Sequence, residues 1–333
     1  MLPKIEKIVT PGNFGVFIEG MQLWMRRFRV ARADLEHLLA QNQFVGDATF
    51  QLARLEMLTG KYGAAEKRLR AMGNQNPADD RVKVGLANLY VASGRPQDAK
   101  SVLASRVESF PERLDYRYDL ARFLARINEN ADAIRELEAI VKKQPGYQPA
   151  QTLLGELLLR QNDIESARQH FLTAIKGNHP SPDALVHMGT LMARESKYNQ
   201  ARDYLEKALA IRPNNPTANN NLAYILAETN TELDQALTCA QRATAAAPDN
   251  AAFADTLALV YIKRDLYDRA ITVLSGIVAS HPDQVPFRYH YALALFRSGK
   301  REQAKTELET ALKHRPKPEE ANQIRELLAK IGS

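Results

Sequence analysis

The side chains with the most chemical reach here are seven histidines, one cysteine and 45 lysines and arginines. His187 and His290 stand out, because each immediately precedes a large apolar residue followed by a small one, in "HMGTLMAR" and "HYALALFR". Matching positions suggest matching faces, as a shared metal would need. They lie three periods of a repeat apart, however, and packed helices are spaced by about 8–10 Å, so one ion cannot take both. The histidines are therefore expected to be solvated. Cys239 is the single cysteine, which excludes an intramolecular disulfide and a cysteine-rich metal site. Its counterparts in the repeat (Arg68, Val102, Glu136, His170, Tyr204) are mixed in character, so a part-exposed thiol is expected. "SGKR" (298–301) has the Gly-Lys of a phosphate loop, but Ala294 stands where that loop needs glycine. No G-x-G-x-x-G, H-E-x-x-H, G-x-S-x-G or C-x-x-C occurs. The chain reads as a non-enzyme with no metal site and no cofactor.

The arginines are more informative. Arg126, Arg160 and Arg194 recur every 34 residues, and after Glu228 the series continues as Lys263 and Arg297. Guanidinium groups at a fixed repeat spacing suit recognition of carboxylates, with which Arg makes forked, charge-assisted hydrogen bonds.

A period of that length must come from the elements that carry the row. Alanine recurs as Ala65, Ala99, Ala133, Ala167, Ala201, Ala236, Ala270 and Ala304, at intervals of 34 residues and once of 35. Proline follows seven of them by twelve residues, and Pro180 follows Ala167 by thirteen. A large-small pair precedes each by thirteen, or by fourteen in the longer copy: Leu52-Ala53, Leu86-Ala87, Leu120-Ala121, Leu154-Gly155, Met188-Gly189, Leu222-Ala223, Leu257-Ala258 and Tyr291-Ala292. The extra residue falls in "ETNTELDQ" (228–235). Each period reads as two helices. Between them lies a turn with Gly60, Gly94, Asn128, Asn162 or Gly299, residues that tolerate positive φ. Proline closes the unit because it cannot continue a helix. Small residues facing each other let the two backbones approach. Such a short pair cannot bury its apolar face alone, so neighbouring pairs must stack.

Thirty-four residues, a Leu-small pair, Tyr90 or Tyr261 four beyond the leucine, then Ala and Pro, resemble the tetratricopeptide repeat (TPR). The Trp of that pattern is absent throughout. The resemblance implies an all-α, right-handed superhelical solenoid of antiparallel helix pairs. It covers eight repeats within 46–318 (46–79, 80–113, 114–147, 148–181, 182–215, 216–250, 251–284 and 285–318). Residues 1–11 form an extension and 12–45 a degenerate helix pair. Residues 319–333 form a C-terminal capping helix, with an apolar stripe of Ala321, Ile324, Leu327, Leu328 and Ile331.

The family's concave groove is lined by the first-helix face opposite the large-small pair. Residues two before, two after and six after the large residue lie about 160–240° round from it. That places Tyr118, Asn220 and Tyr289, then Arg54, Asn88 and Arg122, then Arg126, Arg160, Arg194, Lys263 and Arg297 in the expected peptide-binding groove. Carboxylates such as Asp119 share it. The implied function is a non-enzymatic scaffold that holds a protein or peptide segment, with an acidic segment as the best fit. Phe50, Val84 and Tyr118 fill the places of a chaperone-tail clamp lysine, and Asn221 alone matches the sugar-transferase asparagine ladder, so neither specialised role transfers.

A net charge of +6 is small for 333 residues, and acidic residues are interspersed with no repeated base-reading pair, so nucleic acid is a disfavoured alternative partner. No run approaches the ~20 apolar residues of a membrane span. Without a leader the chain reads as cytoplasmic; removal of one would make it periplasmic or envelope-bound. "NNNLAYILAE" loosely resembles TPR proteins of bacterial envelope and exopolysaccharide (PEP-CTERM) systems, so a fragment of a longer such protein is a further alternative. At the other end, Phe14 to Met25 is apolar on more than one face. Local packing covers it, or it meets a second subunit as a homodimer, or further repeats precede it.

Overall fold

Alanine and leucine sit at the two markers of each period because two helices must touch there. The computed structural model describes residues 28–77 and 79–332, and all regular structure among them is helical. α1 runs over 28–40. Eight first helices follow: α2 Val45–Leu58, α4 Asp80–Ala92, α6 Leu114–Arg126, α8 Gln148–Arg160, α10 Pro182–Arg194, α12 Pro216–Glu228, α14 Ala251–Lys263 and α16 Val285–Arg297. The second helices alternate with them: α3 Tyr62–Gln75, α5 Pro96–Ser109, α7 Asn130–Lys143, α9 Ile164–Ala174, α11 Tyr198–Ile211, α13 Leu233–Ala246, α15 Tyr267–Ser280 and α17 Arg301–Lys313. α18 (Pro318–Gly332) closes the series. The helices divide into two units, one up to Pro145 and one from Gly146. The apolar stretch 14–25 lies outside the described residues.

Within each unit, consecutive helices pack as antiparallel pairs about the marker residues. All eight marker alanines, from Ala65 to Ala304, are 0% exposed. The large residue four beyond packs against the small residue of the first helix, and Leu137, Phe171, Leu205, Leu274 and Leu308 are likewise fully buried. Each such side chain contributes about 1.5–3 kcal/mol. Where glycine is the small residue the approach is close: a Cβ on Gly155 would stand 2.5 Å from Phe171 Cε1, and one on Gly189 would stand 2.7 Å from Leu205 Cγ.

The turn inside each pair has one left-handed residue. Gly60, Gly94, Asn128, Asn162 and Gly299 all have positive φ, as the sequence predicts, and Ser196, Asn230 and Asp265 fill the same place elsewhere. In the longer copy Glu232 is left-handed as well, at φ 44°, which absorbs the extra residue. Several first helices begin on a side-chain cap: Asp79, Ser181, Asn215 and Asn250 each accept from a backbone N–H in the first turn. α18 buries Ala321, Ile324, Leu327 and Ile331 against the core of α16 and α17, with Leu328 half-buried beside them. None of the helices among the described residues is long and apolar enough to cross a membrane.

Candidate functional site

In the first unit, the expected groove residues do not form one constellation. Arg54 is exposed and donates to Gln51 Oε1 on its own helix at 3.1 Å. Asn88 is exposed on α4. Tyr118 and Arg122 are brought together on α6, the guanidinium lying 5.7 Å from the ring centroid. Arg126 is exposed in the last turn of the same helix. Asp119 is committed elsewhere, accepting from the buried Arg106 at 2.9 Å.

The second unit builds a real cleft. Arg160 and Arg194 line one cavity of about 430 Å³ with Glu156, Leu159, His187, Thr190 and Leu191, contributed by α8 and α10. His187 Nε2 stands 3.1 Å from Glu156 Oε1, and its ring stacks on Phe171 at 4.8 Å. The buried Phe171 therefore forms the floor beneath one wall of the cleft. Thr190 accepts from Asn221 Nδ2 at 2.9 Å, which ties the cleft to α12. Beside it Asn220 donates to Asn221 Oδ1 at 3.3 Å, while its own Oδ1 is buried with no partner among the described residues.

The arginines are paired in part. Arg81, Arg95, Arg106, Arg168, Arg202, Arg212, Arg264 and Arg288 each pair with a carboxylate from another helix or turn. Arg126, Arg160, Arg194 and Arg297 make no ion pair among the described residues, and neither do Arg242, Arg269, Arg301 and Arg325 elsewhere.

Family models described as tetratricopeptide repeat match residues 57–127, 90–145, 128–194, 192–260 and 257–329. The chain belongs to the tetratricopeptide repeat family. Among curated proteins it is 26% identical over 173 residues to a TPR repeat-containing protein of Pseudomonas aeruginosa, covering 50% of this chain and 29% of that one. It is 23% identical over 176 residues to the human protein O-mannosyl-transferase TMTC1, covering 52% of this chain and 20% of the transferase. The chain thus spans less than a third of either relative. Among solved structures, the Cut9-Hcn1 hetero-tetramer of the APC/C superposes over 90% of this chain and 58% of its own, with TM-score 0.58 and 16% identity.

Further along the TPR array, the first helices carry a second group. His290 Nδ1 lies 2.8 Å from Asp255 Oδ1, joining α16 to α14. Burial opposes charging of that imidazole, but Asp255 outweighs it, and the His290 pKa is raised. Burial, then the Glu228 charge, pushes the Tyr224 hydroxyl up to about 12. The Tyr289 hydroxyl is held above the usual tyrosine range by burial and then by Glu326 and Glu228. Lys263 is half-buried at the end of α14 and its charge reaches His290. Arg297 is exposed and its charge reaches Tyr267.

Two expectations are corrected. His187 and His290 are not free solvated histidines: both pair with a carboxylate of the preceding repeat, and the His290 side chain is only 19% exposed. Cys239 is buried, at 4% exposure, because it packs into the core formed with α11 and α12; burial also pushes its thiol pKa up. A scan for opposite charges about one period apart would have found the Glu156–His187 and Asp255–His290 pairs. Nothing periodic marks Cys239.

Proposed function

We propose that this TPR chain is a non-enzymatic scaffold that holds a segment of another protein on the first-helix face, with an acidic side chain seated in the Arg160–Arg194 cleft. The observation that carries the reading is that these two arginines line one cavity and neither makes an ion pair among the described residues. A carboxylate entering between them gains two charge-assisted hydrogen bonds without displacing an internal partner. Within the first unit taken by itself, Arg54, Asn88, Tyr118, Arg122 and Arg126 would serve the same kind of recognition.

The test is binding of a fluorescein-labelled glutamate-rich peptide to the Arg160→Ala/Arg194→Ala variant. Both residues are exposed, so circular dichroism is expected to be unchanged. Affinity is expected to fall about tenfold and to weaken with salt, as for two partly screened charge contacts. Equal affinity of variant and parent would refute the assignment.

A further inference from the structure

At the opposite end of α10 from Arg194, the second unit holds a cavity of about 310 Å³, lined by Ile175, Pro180, Leu185, Tyr204, Lys207 and Ile211. Leu185 lies in the first turns of α10 and Arg194 at its end, so about 14 Å of helix axis separates this cavity from the arginine cleft. Its walls are apolar and in part open. Leu185 is buried, Ile175 and Tyr204 pack half-buried against the same core, and Ile211 is 46% exposed. α9 ends seven residues past its marker Ala167, whereas α7, α11, α13 and α15 run ten past theirs, so a loop borders the opening where a helical turn stands elsewhere. Gly177, at φ 92°, turns that loop. Two hydrogen bonds pin it, from Ser181 N–H to Ala174 O at 3.1 Å and from Gln148 Nε2 to His179 O at 2.5 Å. One repeat on, the crevice between α11 and α13 has Asn219 in place of Leu185, with Glu206, Gln235, Thr238 and Arg242 about it. An apolar lining is therefore not a general consequence of stacking repeats.

The rim is cationic. Lys207 Nζ lies 6.0 Å from the Tyr204 ring centroid and makes no ion pair among the described residues, and neither does the exposed Lys176 beside Ile175. Of the carboxylates on α10 and α11, Asp183 is held by Arg212 and Glu206 by Arg202, which leaves Asp203 against two lysines. We propose that this cavity is a second docking site, separate from the arginine cleft, which takes one leucine-, isoleucine- or phenylalanine-sized side chain of a partner protein, with a carboxylate next to it facing Lys207. Sites for whole small molecules start at about 300 Å³ and enclose most of the ligand. A cavity at that lower bound with a half-open wall suits a single side chain anchored by a longer segment. Burial of the apolar group supplies affinity, and the lysine fixes which way the segment runs.

The test is selection from a phage-displayed library of randomised eight-residue segments on the full chain carrying Arg160→Ala/Arg194→Ala, so that winners report on this cavity whether or not the arginine reading holds. The expected winners carry Leu, Ile or Phe beside Asp or Glu. Their synthesised forms are expected to lose about fivefold in affinity on Ile211→Ser and about fivefold on Lys207→Glu, two exposed positions at which circular dichroism should not change. A winner whose carboxylate is replaced by lysine is expected to bind the Lys207→Glu chain better than the Lys207 chain, a reversal that a general loss of packing cannot produce. Winners indifferent to Ile211→Ser and Lys207→Glu, or no winners at all, would overturn the proposal. So would decanoate binding that Ile211→Ser weakens while no peptide binds, which would make the cavity a site for a small amphiphile.

Discussion

Gly155→Ala tests whether the backbone approach inside a helix pair sets the shape of the cleft. In most repeats the small residue is alanine facing leucine, as Ala121 faces Leu137, both 0% exposed. In the fourth repeat phenylalanine replaces that leucine and glycine replaces the alanine. A new methyl at Gly155 would meet Phe171 Cε1 at 2.5 Å and Cζ at 2.8 Å, and the ring is 0% exposed, so it cannot swing into water. Overpacking of this kind costs about 1–3 kcal/mol. Alanine returns up to about 1 kcal/mol of helix propensity over glycine. The expected net loss is therefore about 1–2 kcal/mol, read as a lower urea midpoint in far-ultraviolet circular dichroism. Phe171→Leu alone leaves a partial void and also destabilises, by about 1–3 kcal/mol. The double variant rebuilds the alanine–leucine pair of the other repeats, so it should be more stable than the sum of the singles by about 1–2 kcal/mol. Because the Phe171 ring lies under His187, Gly155→Ala should also weaken acidic-peptide binding at the cleft. Additive losses in the cycle, or a Gly155→Ala variant as stable as the parent, would refute this account of the packing.

Three other perturbations test separate parts of the array. The His290–Asp255 pair has a pH signature: a pKa raised above the unfolded value of about 6.5 means its stabilisation is complete below that pH and fades as pH rises through the folded value. With Glu228 and Lys263 also acting on the ring, the midpoint difference between parent and His290→Gln should shrink from pH 6 to pH 9; a constant or growing difference would contradict it. Arg106 is 6% exposed, bonds Asp80 and Asp119, and lies 3.5 Å over Tyr116; Arg106→Ala should cost about 2–3 kcal/mol in urea unfolding, below the figure for a fully buried pair because both aspartates keep contact with water. Ile324 is 0% exposed in the cap, so Ile324→Ala should cost about 2–5 kcal/mol, and hydrogen exchange should place the loss in α16–α18 first.

What was legible in the sequence is what repeats. The marker alanines and the left-handed turn residues such as Asn128 and Asn162 recur at the same place in each of the eight copies, and a leucine faces the alanine in most of them, so spacing alone exposes them. The apolar stripe of α18 is equally plain because it follows the helical period. Whether a polar side chain on that scaffold is free or paired is set by a neighbour one repeat away. Thus Arg160 and Arg194 stay unpaired while Arg168, on the adjoining helix, meets Glu195. The same dependence hid the pairing of His290 with Asp255. Cys239 was misplaced for a related reason: its counterparts differ in size and polarity, so their average said nothing about the local fit.

The simplest competing account of the arginine row is the helix dipole, since Arg160 and Arg194 both stand in the last turn of a helix. Cations there stabilise a helix by about 0.3–1 kcal/mol whether or not anything binds. That effect acts equally on second helices, where the last-turn cations Arg106 and Lys143 are met by carboxylates of Asp80 and Glu112 while Lys142 and Lys313 make no ion pair among the described residues. A dipole can place each cation but gives no reason for two of them to line one cavity, as Arg160 and Arg194 do. The two accounts separate cleanly in one pair of measurements. If the dipole is the whole explanation, Arg160→Ala/Arg194→Ala lowers the urea midpoint and leaves peptide affinity alone, whereas Arg160→Lys/Arg194→Lys restores the midpoint. If the cleft reads carboxylates by forked hydrogen bonds, the lysine variants keep the midpoint yet still bind several-fold more weakly, because an ammonium group cannot supply the paired geometry.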